Sequence, residues 1–276
     1  MNTFRAVSPN ETLFNPKPDH DLFNDNLANY VLRLGDSPLV LAQRLCEWCG
    51  HAPELEIDLA LSNIGLDLLG QARNFLSYAA TLYETNHGTN VDEDKLAFGR
   101  EEREFCNLLL VEQPNGGFND TLARQFFIDA YHILLYQALG QSQDSQLVAI
   151  SNKSLKEANY HLRFSRGWMI RLGDGTEQSH EKMQNAVNQL WRFTGELFHC
   201  DEVEQHLAEA GIATNPRTLY EPWQQIVKET FAQATLDIPQ EIPYRQGGKQ
   251  GQHTEHLGYI LAEMQFLQRT YPDCNW

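Results

Sequence analysis

Residues 51–83 read HAPELEIDLALSNIGLDLLGQARNFLSYAATLY, with no proline after Pro53 and no turn cluster for about eight helical turns. This is the pattern of one long helix. Pro53 suits a first turn, and Glu54 and Glu56 lie where the helix dipole favours anions. Ile57, Leu61, Ile64, Leu68, Ala72, Phe75, Ala79 and Leu82 recur at steps of three and four and form a core-facing stripe. Leu55, Leu59, Leu66 and Leu69 make the other faces apolar too, which predicts a helix buried on most sides. A second column, Glu56, Asn63, Asp67, Gln71 and Asn74, runs along it, and polar groups withdrawn from water require partners.

Working outward, Asn24 to Leu34 forms a short amphipathic helix that Gly35 ends. Asp36 or Ser37 caps a second, opened by Pro38 and stopped at Gly50, which packs antiparallel to the long helix. After the long helix, residues 84–94 are a polar loop. A short charged helix to about Phe105 and an irregular run to 120 follow, enough chain to return along a bundle about 45 Å long. Asn119 or Asp120 caps a helix to Leu139, and Asp144 or Ser145 caps another to Leu172, ended by Gly173.

A short hairpin, a long crossover and a second short hairpin make the connectivity of a ferritin-like four-helix bundle. Further helices are expected over 179–198, after an Asp201–Glu204 capping box and ending at Gly211, from Pro222, and over 254–270. No period-two strand of useful length occurs, so the expected class is all-α. Residues 1–24, rich in Pro, Asn and Asp, read as a flexible N-terminal extension, and 25–276 as a single ferritin-like domain with additional C-terminal helices.

Twenty-one Lys and Arg against 37 Asp and Glu leave a net charge of −16, which disfavours nucleic acid and anionic membrane surfaces. No apolar run approaches the roughly 18 residues of a membrane span and no signal segment opens the chain, so a cytoplasmic location is expected. Five cysteines at irregular spacing do not make a disulfide framework. Cys46-Glu-Trp-Cys49 has redox spacing, but it lies at a helix end with no strand before it and reads as two packed thiols.

The bundle prompts a test for two metal ions. Di-metal members carry a carboxylate on two helices and Glu-x-x-His on the other two, because each ion needs bridging oxygens and an imidazole. Glu47 and Asp67 are the candidates on the first pair, but three residues after Asp67 stands Gly70. Asp129 is followed three residues on by His132. Glu157 is followed by Tyr160, with His161 one step further. Both expected histidines are therefore absent. The simplest reading is a buried network of hydrogen bonds and ion pairs, with Arg163, Arg166 or the histidines as partners. A single weakly held metal and a working di-metal centre stay open beside it.

The segments HAPELEIDLALSNIGLDLLGQARNF, NLLLVEQPNGGFNDTLARQFF, YHLRFSRGW, QLWRFTGELF and GGKQGQHTEHLGYILAEMQFLQR resemble those of the structural C subunits of bacterial phenylacetyl-CoA epoxidase, a multicomponent monooxygenase. The resemblance spans about residues 27–276. It implies a ferritin-like subunit of aerobic phenylacetate degradation with no catalytic or metal-binding residue of its own. It further implies pairing with a catalytic A subunit that holds iron and the CoA thioester, a bridging B subunit, and transient contact with an iron-sulfur and flavin reductase. The assembly adds one atom of dioxygen to the aromatic ring. Self-association is a further expectation. The rival reading is a ferritin-like metal oxygenase active by itself through Glu47, Asp67, Asp129, His132, Glu157 and His161.

Other motifs carry less. His253-Thr-Glu255-His256 matches neither H-E-x-x-H nor its inverse. Gly247-Gly-Lys249-Gln-Gly251 lacks the hydroxyl residue and the preceding strand of a phosphate loop, and reads as a mobile loop or a contact between subunits.

Overall fold

A computed structural model describes residues 19–240, 243–272 and 274. The structure is 74% helical without strands among the described residues, which settles the all-α class. Four long helices form the bundle: α1 (Asp19–Cys46), α2 (Leu55–His87), α4 (Phe118–Leu139) and α5 (Ser145–Gly173). The crossover from α2 to α4 contains the short α3 (Glu93–Phe98) and a 3-10 turn at Glu102–Glu104. Around one side lie α6 (Glu177–Leu190), an eight-residue 3-10 stretch, α7 (Glu202–Glu209), α8 (Tyr220–Ala234), α9 (Glu255–Met264) and α10 (Phe266–Thr270).

The two-helix reading of 24–50 is corrected to one helix. Gly35 does not end α1, because it is the crossing point with α2: a Cβ there would meet Leu76 Cδ2 at 2.8 Å. Asp36 does not cap. It is fully buried and accepts from the Arg100 guanidinium and from the Cys106 amide at 2.8 Å. Ser37 Oγ likewise accepts from the Leu108 amide at 3.1 Å. The Gly-Asp-Ser-Pro cluster thus serves the crossover chain that lies against it, and Pro38 is tolerated inside α1. The same helix begins at Asp19, so the expected boundary at residue 24 falls within it. Residues 1–18 of the expected extension lie outside the described residues.

Smaller corrections follow the same logic. α2 continues into the expected polar loop as far as His87, where Gly88 closes it in the left-handed region at φ 64°. The last helix is broken in two at Gln265, whose buried amide donates to the Arg100 carbonyl at 3.0 Å. Asp144 caps α5 as expected, accepting from the Gln146 and Leu147 amides, and the Asp201–Glu204 box opens α7. Cys46 and Cys49 are both exposed rather than packed. Partial burial, then Cys49 and Glu47, push the Cys46 thiol up, away from the thiolate that redox exchange needs.

α2 is buried on one side only. Its stripe from Ile57 to Ala79 faces the core, yet Leu55, Leu59, Leu66 and Leu69 stand 70%, 57%, 62% and 41% exposed. The expectation of burial on most sides fails because α1, α5 and the short α3 flank α2, and none of them covers the arc that carries these four leucines.

Candidate functional site

Two members of the polar column of α2, Asp67 and Gln71, find partners on α4 and α5 across the middle of the bundle, whereas Glu56 and Asn63 are exposed to water. α2 and α5 run antiparallel, so Asp67 meets His161, Gln71 meets Glu157, and Tyr78 meets Asp144. His161 Nε2 and Asp67 Oδ2 are 3.0 Å apart, the imidazole buried and the carboxylate 39% exposed. Gln71 Nε2 donates to Glu157 Oε2 at 2.9 Å, and Tyr136 Oη donates to Gln71 Oε1 at 2.9 Å. On α4, Asp129 is fully buried and accepts from Gln125 Nε2 at 2.7 Å and Ser165 Oγ at 2.6 Å. His132 stacks on Tyr136 with ring centroids 5.1 Å apart.

Burial sets the charge states here. It raises the Asp129 carboxyl to about 6, against the opposing pull of His161 and of the two hydrogen bonds. Burial, and secondarily His161, push His132 down to about 3, so this imidazole is neutral at pH 7. A cavity of about 30 Å³ lies beside His132, between Tyr30, Ser37, Tyr131, Glu204 and Lys249. It has room for a water or two.

Of the sequence-predicted positions, Asp67, Asp129, His132, Glu157 and His161 do gather in the bundle centre. Glu47 does not: it sits at the end of α1, bound by Arg44 at 2.9 Å and Asn115 at 2.8 Å. Gly70 and Tyr160 point outward. A Cβ at Gly70 would meet nothing within 4 Å, and Tyr160 is 41% exposed. A histidine at either place would therefore miss the centre, because the inward faces of α2 and α5 advance by four residues (67 to 71, 157 to 161). His161 serves as a partner, as expected, but Arg163 and Arg166 do not; the others are Gln71, Gln125, Tyr136 and Ser165. Of these, only Gln71 stood out beforehand, as a member of the polar column. Gln125 and Ser165 sit one turn from Asp129 and His161, and that spacing is the only trace they leave in the sequence.

The donor set fits a di-iron centre poorly. Bridging carboxylates must share oxygens with two ions, but each carboxylate here is engaged by an amide, hydroxyl or imidazole of its own. Among the described residues no three His, Cys, Asp or Glu side chains converge on one point.

A second polar region caps one side of the bundle, where the crossover, α7 and the segment before α9 meet against α1. Buried Glu112 accepts from His253 Nδ1 at 2.9 Å, from the Thr254 amide at 2.6 Å and from Asn107 Nδ2 at 3.0 Å. His253 Nε2 donates to the Phe105 carbonyl at 2.8 Å, so both ring nitrogens donate and the ring is imidazolium. Burial opposes that charge, but Glu112 and Phe105 outweigh it and raise the pKa. Glu196 accepts from the amides of Leu109, Gly247 and Gly248. Lys249 Nζ is buried and donates to Glu204 at 2.7 Å.

The segment expected to be mobile is thus a packed strap. A Cβ on Gly248 would lie 2.2 Å from the Asn107 carbonyl oxygen, and one on Gly251, at φ +74°, 2.2 Å from that of Arg103. The lysine of the phosphate-loop look-alike is spent inside the fold.

These features define an all-α bundle of the ferritin-like class whose centre holds a self-paired polar network. The chain belongs to the family described as Phenylacetic acid catabolic protein, which matches residues 15–276. It is 64% identical over 252 residues, 91% of this chain and 100% of the relative, to the C subunit of the 1,2-phenylacetyl-CoA epoxidase of Escherichia coli (strain K12). The comparison bears out the resemblance drawn from the sequence segments. No helix among the described residues is long and apolar enough to cross a membrane.

Proposed function

We propose that this chain is the non-catalytic structural subunit of a cytoplasmic phenylacetyl-CoA epoxidase, where it pairs with and stabilises the iron-bearing A subunit in aerobic phenylacetate degradation. The observation that carries the reading is the self-paired network at the bundle centre. Asp129, Glu157 and Asp67 are each bound by a partner of this chain, and the neighbouring cavity admits water but no CoA thioester. Iron belongs to the A subunit, and the iron-sulfur and flavin groups to the reductase. The B subunit joins the assembly as a further partner.

The test is iron content and turnover of phenylacetyl-CoA by the purified chain, alone and mixed with the A subunit. The expected result is neither iron nor product from this chain alone, with epoxidation appearing on mixing when reductase is present. Two irons per chain, with turnover in the absence of the A subunit, would overturn the proposal in favour of a self-sufficient ferritin-like oxygenase.

A further inference from the structure

The cavity of about 30 Å³ beside His132 lies where the bundle centre meets the side cap. α1 contributes Tyr30 and Arg33 to its wall, α4 contributes Tyr131 and His132, and the cap contributes Glu204 and Lys249. Two of these side chains are short of partners. Tyr131 and His132 are only 5% and 3% exposed, and among the described residues neither side chain makes a hydrogen bond to the protein. Their ring contacts, to Phe198 and Tyr136, satisfy neither the hydroxyl nor the ring nitrogens. The imidazole is neutral at pH 7, so it presents one N–H donor and one bare nitrogen, and the hydroxyl adds a second donor. Polar groups buried this deeply require partners.

The charged part of the wall decides the kind of guest. Lys249 Nζ spends its three hydrogens on the His199 carbonyl at 2.8 Å and on the two Glu204 oxygens at 2.7 and 2.9 Å. Arg33 is paired with Asp201 at 2.7 Å. With each cation matched to a carboxylate of the chain, no charge is left over to hold an anion. Glu204 itself accepts these two bonds from Lys249 and one from the Asp201 amide at 3.3 Å, which leaves one of a carboxylate's roughly four acceptor sites for a further donor. An apolar guest would offer Tyr131 and His132 nothing.

We infer that the cavity is a water site, where one or two molecules accept from the Tyr131 hydroxyl, bond the His132 ring and donate to Glu204. A water needs about 10–15 Å³ and two to four polar partners, and this wall supplies both. Such a bridge makes the neutral centre and the charged cap one hydrogen-bonded unit.

Tyr131→Phe in the full chain tests this by sign, because the change removes the hydroxyl and keeps the ring. With water on the hydroxyl, the variant is expected to lower the folding equilibrium constant about fivefold in a denaturant titration. In a dry cavity the same change removes a stranded buried hydroxyl, so a variant as stable as wild type, or more stable, overturns the proposal.

A crystal structure of the wild-type chain at a resolution that shows ordered water is expected to place one or two waters in the cavity, within hydrogen-bond reach of Tyr131 Oη, a His132 ring nitrogen and the Glu204 carboxylate. A dry cavity that takes up xenon overturns the water site. An anomalous peak there after a bromide soak overturns the neutral guest. Water on Glu204 that reaches neither Tyr131 nor His132 overturns the bridge.

Discussion

Two buried histidines, one in the bundle centre and one in the cap along its side, show how differently this molecule solves the same problem. His132 lies in the centre among Tyr136, Asp129 and His161, where burial drives it to the neutral form. His253 lies in the cap between Glu112 and the Phe105 carbonyl, where two acceptors hold it as a cation despite burial. The centre satisfies its carboxylates chiefly with neutral amides and a hydroxyl, Asp67 alone meeting an imidazole. The cap satisfies them with cations and backbone amides. A network of the first kind tolerates little net charge, while one of the second kind depends on it.

The largest effect that would expose this difference is loss of a cation from the cap. Lys249→Met strands the Glu204 carboxylate, buried and bound at 2.7 Å. The expected cost is about 3–5 kcal/mol, read as a fall of about 10 °C in melting temperature. In the centre, Gln71→Ala removes the amide that bridges Glu157 and Tyr136. There the expected loss in a denaturant titration is smaller, about 1–3 kcal/mol, because the half-exposed Glu157 carboxylate reaches water and the Tyr136 hydroxyl carries no charge.

The pH dependence sharpens the contrast, since the histidines act with opposite sign. His253 is raised in the folded state, so its contribution is complete below the ordinary histidine value and fades as pH rises through the raised one. His132, lowered to about 3, is protonated in the unfolded chain first, so stability is lost as pH falls from about 6.5 toward 3. Asp129, raised to about 6, opposes His132: its folded form binds the proton between about 4 and 6, and stability is lost as pH rises there. In melts from pH 4 to 7, Asp129→Asn should lose stability more steeply on acidification than wild type. His132→Asn should lose it less steeply, and His253→Gln should give up its advantage mainly at the acid end.

The smallest expected effect lies on the exposed row of α2. Leu66→Ser should shift the unfolding free energy by no more than about 0.5 kcal/mol in the same titration, since Leu66 is 62% exposed. A larger loss would mean that this face packs within the chain.

Much of the fold was legible because it rests on local chemistry. The 3.6-residue period of Ile57 to Ala79, the Asp144 cap and the Asp201–Glu204 box act over one or two turns, and all stand where expected. The misreadings share a cause. Gly35, Asp36, Ser37 and Pro38 carry every local mark of a helix break, but the partners of the first three, Leu76, Arg100, Cys106 and Leu108, come from distant parts of the chain. Glycines 248 and 251 read as freedom and turn out to be close approach to the crossover backbone.

By itself the sequence determined the bundle helices α2, α4 and α5, the short-hairpin and long-crossover connectivity, and the absence of histidines at positions 70 and 160, since these follow from residue type and short-range period. Tertiary structure alone decided that those two positions face outward, that Gln125 and Ser165 complete Asp129, and that the leucines of α2 stay in water. The reason is geometric. A period places a side chain on a helix face, and only the neighbours packed around that helix decide whether the face meets a donor, a core or solvent.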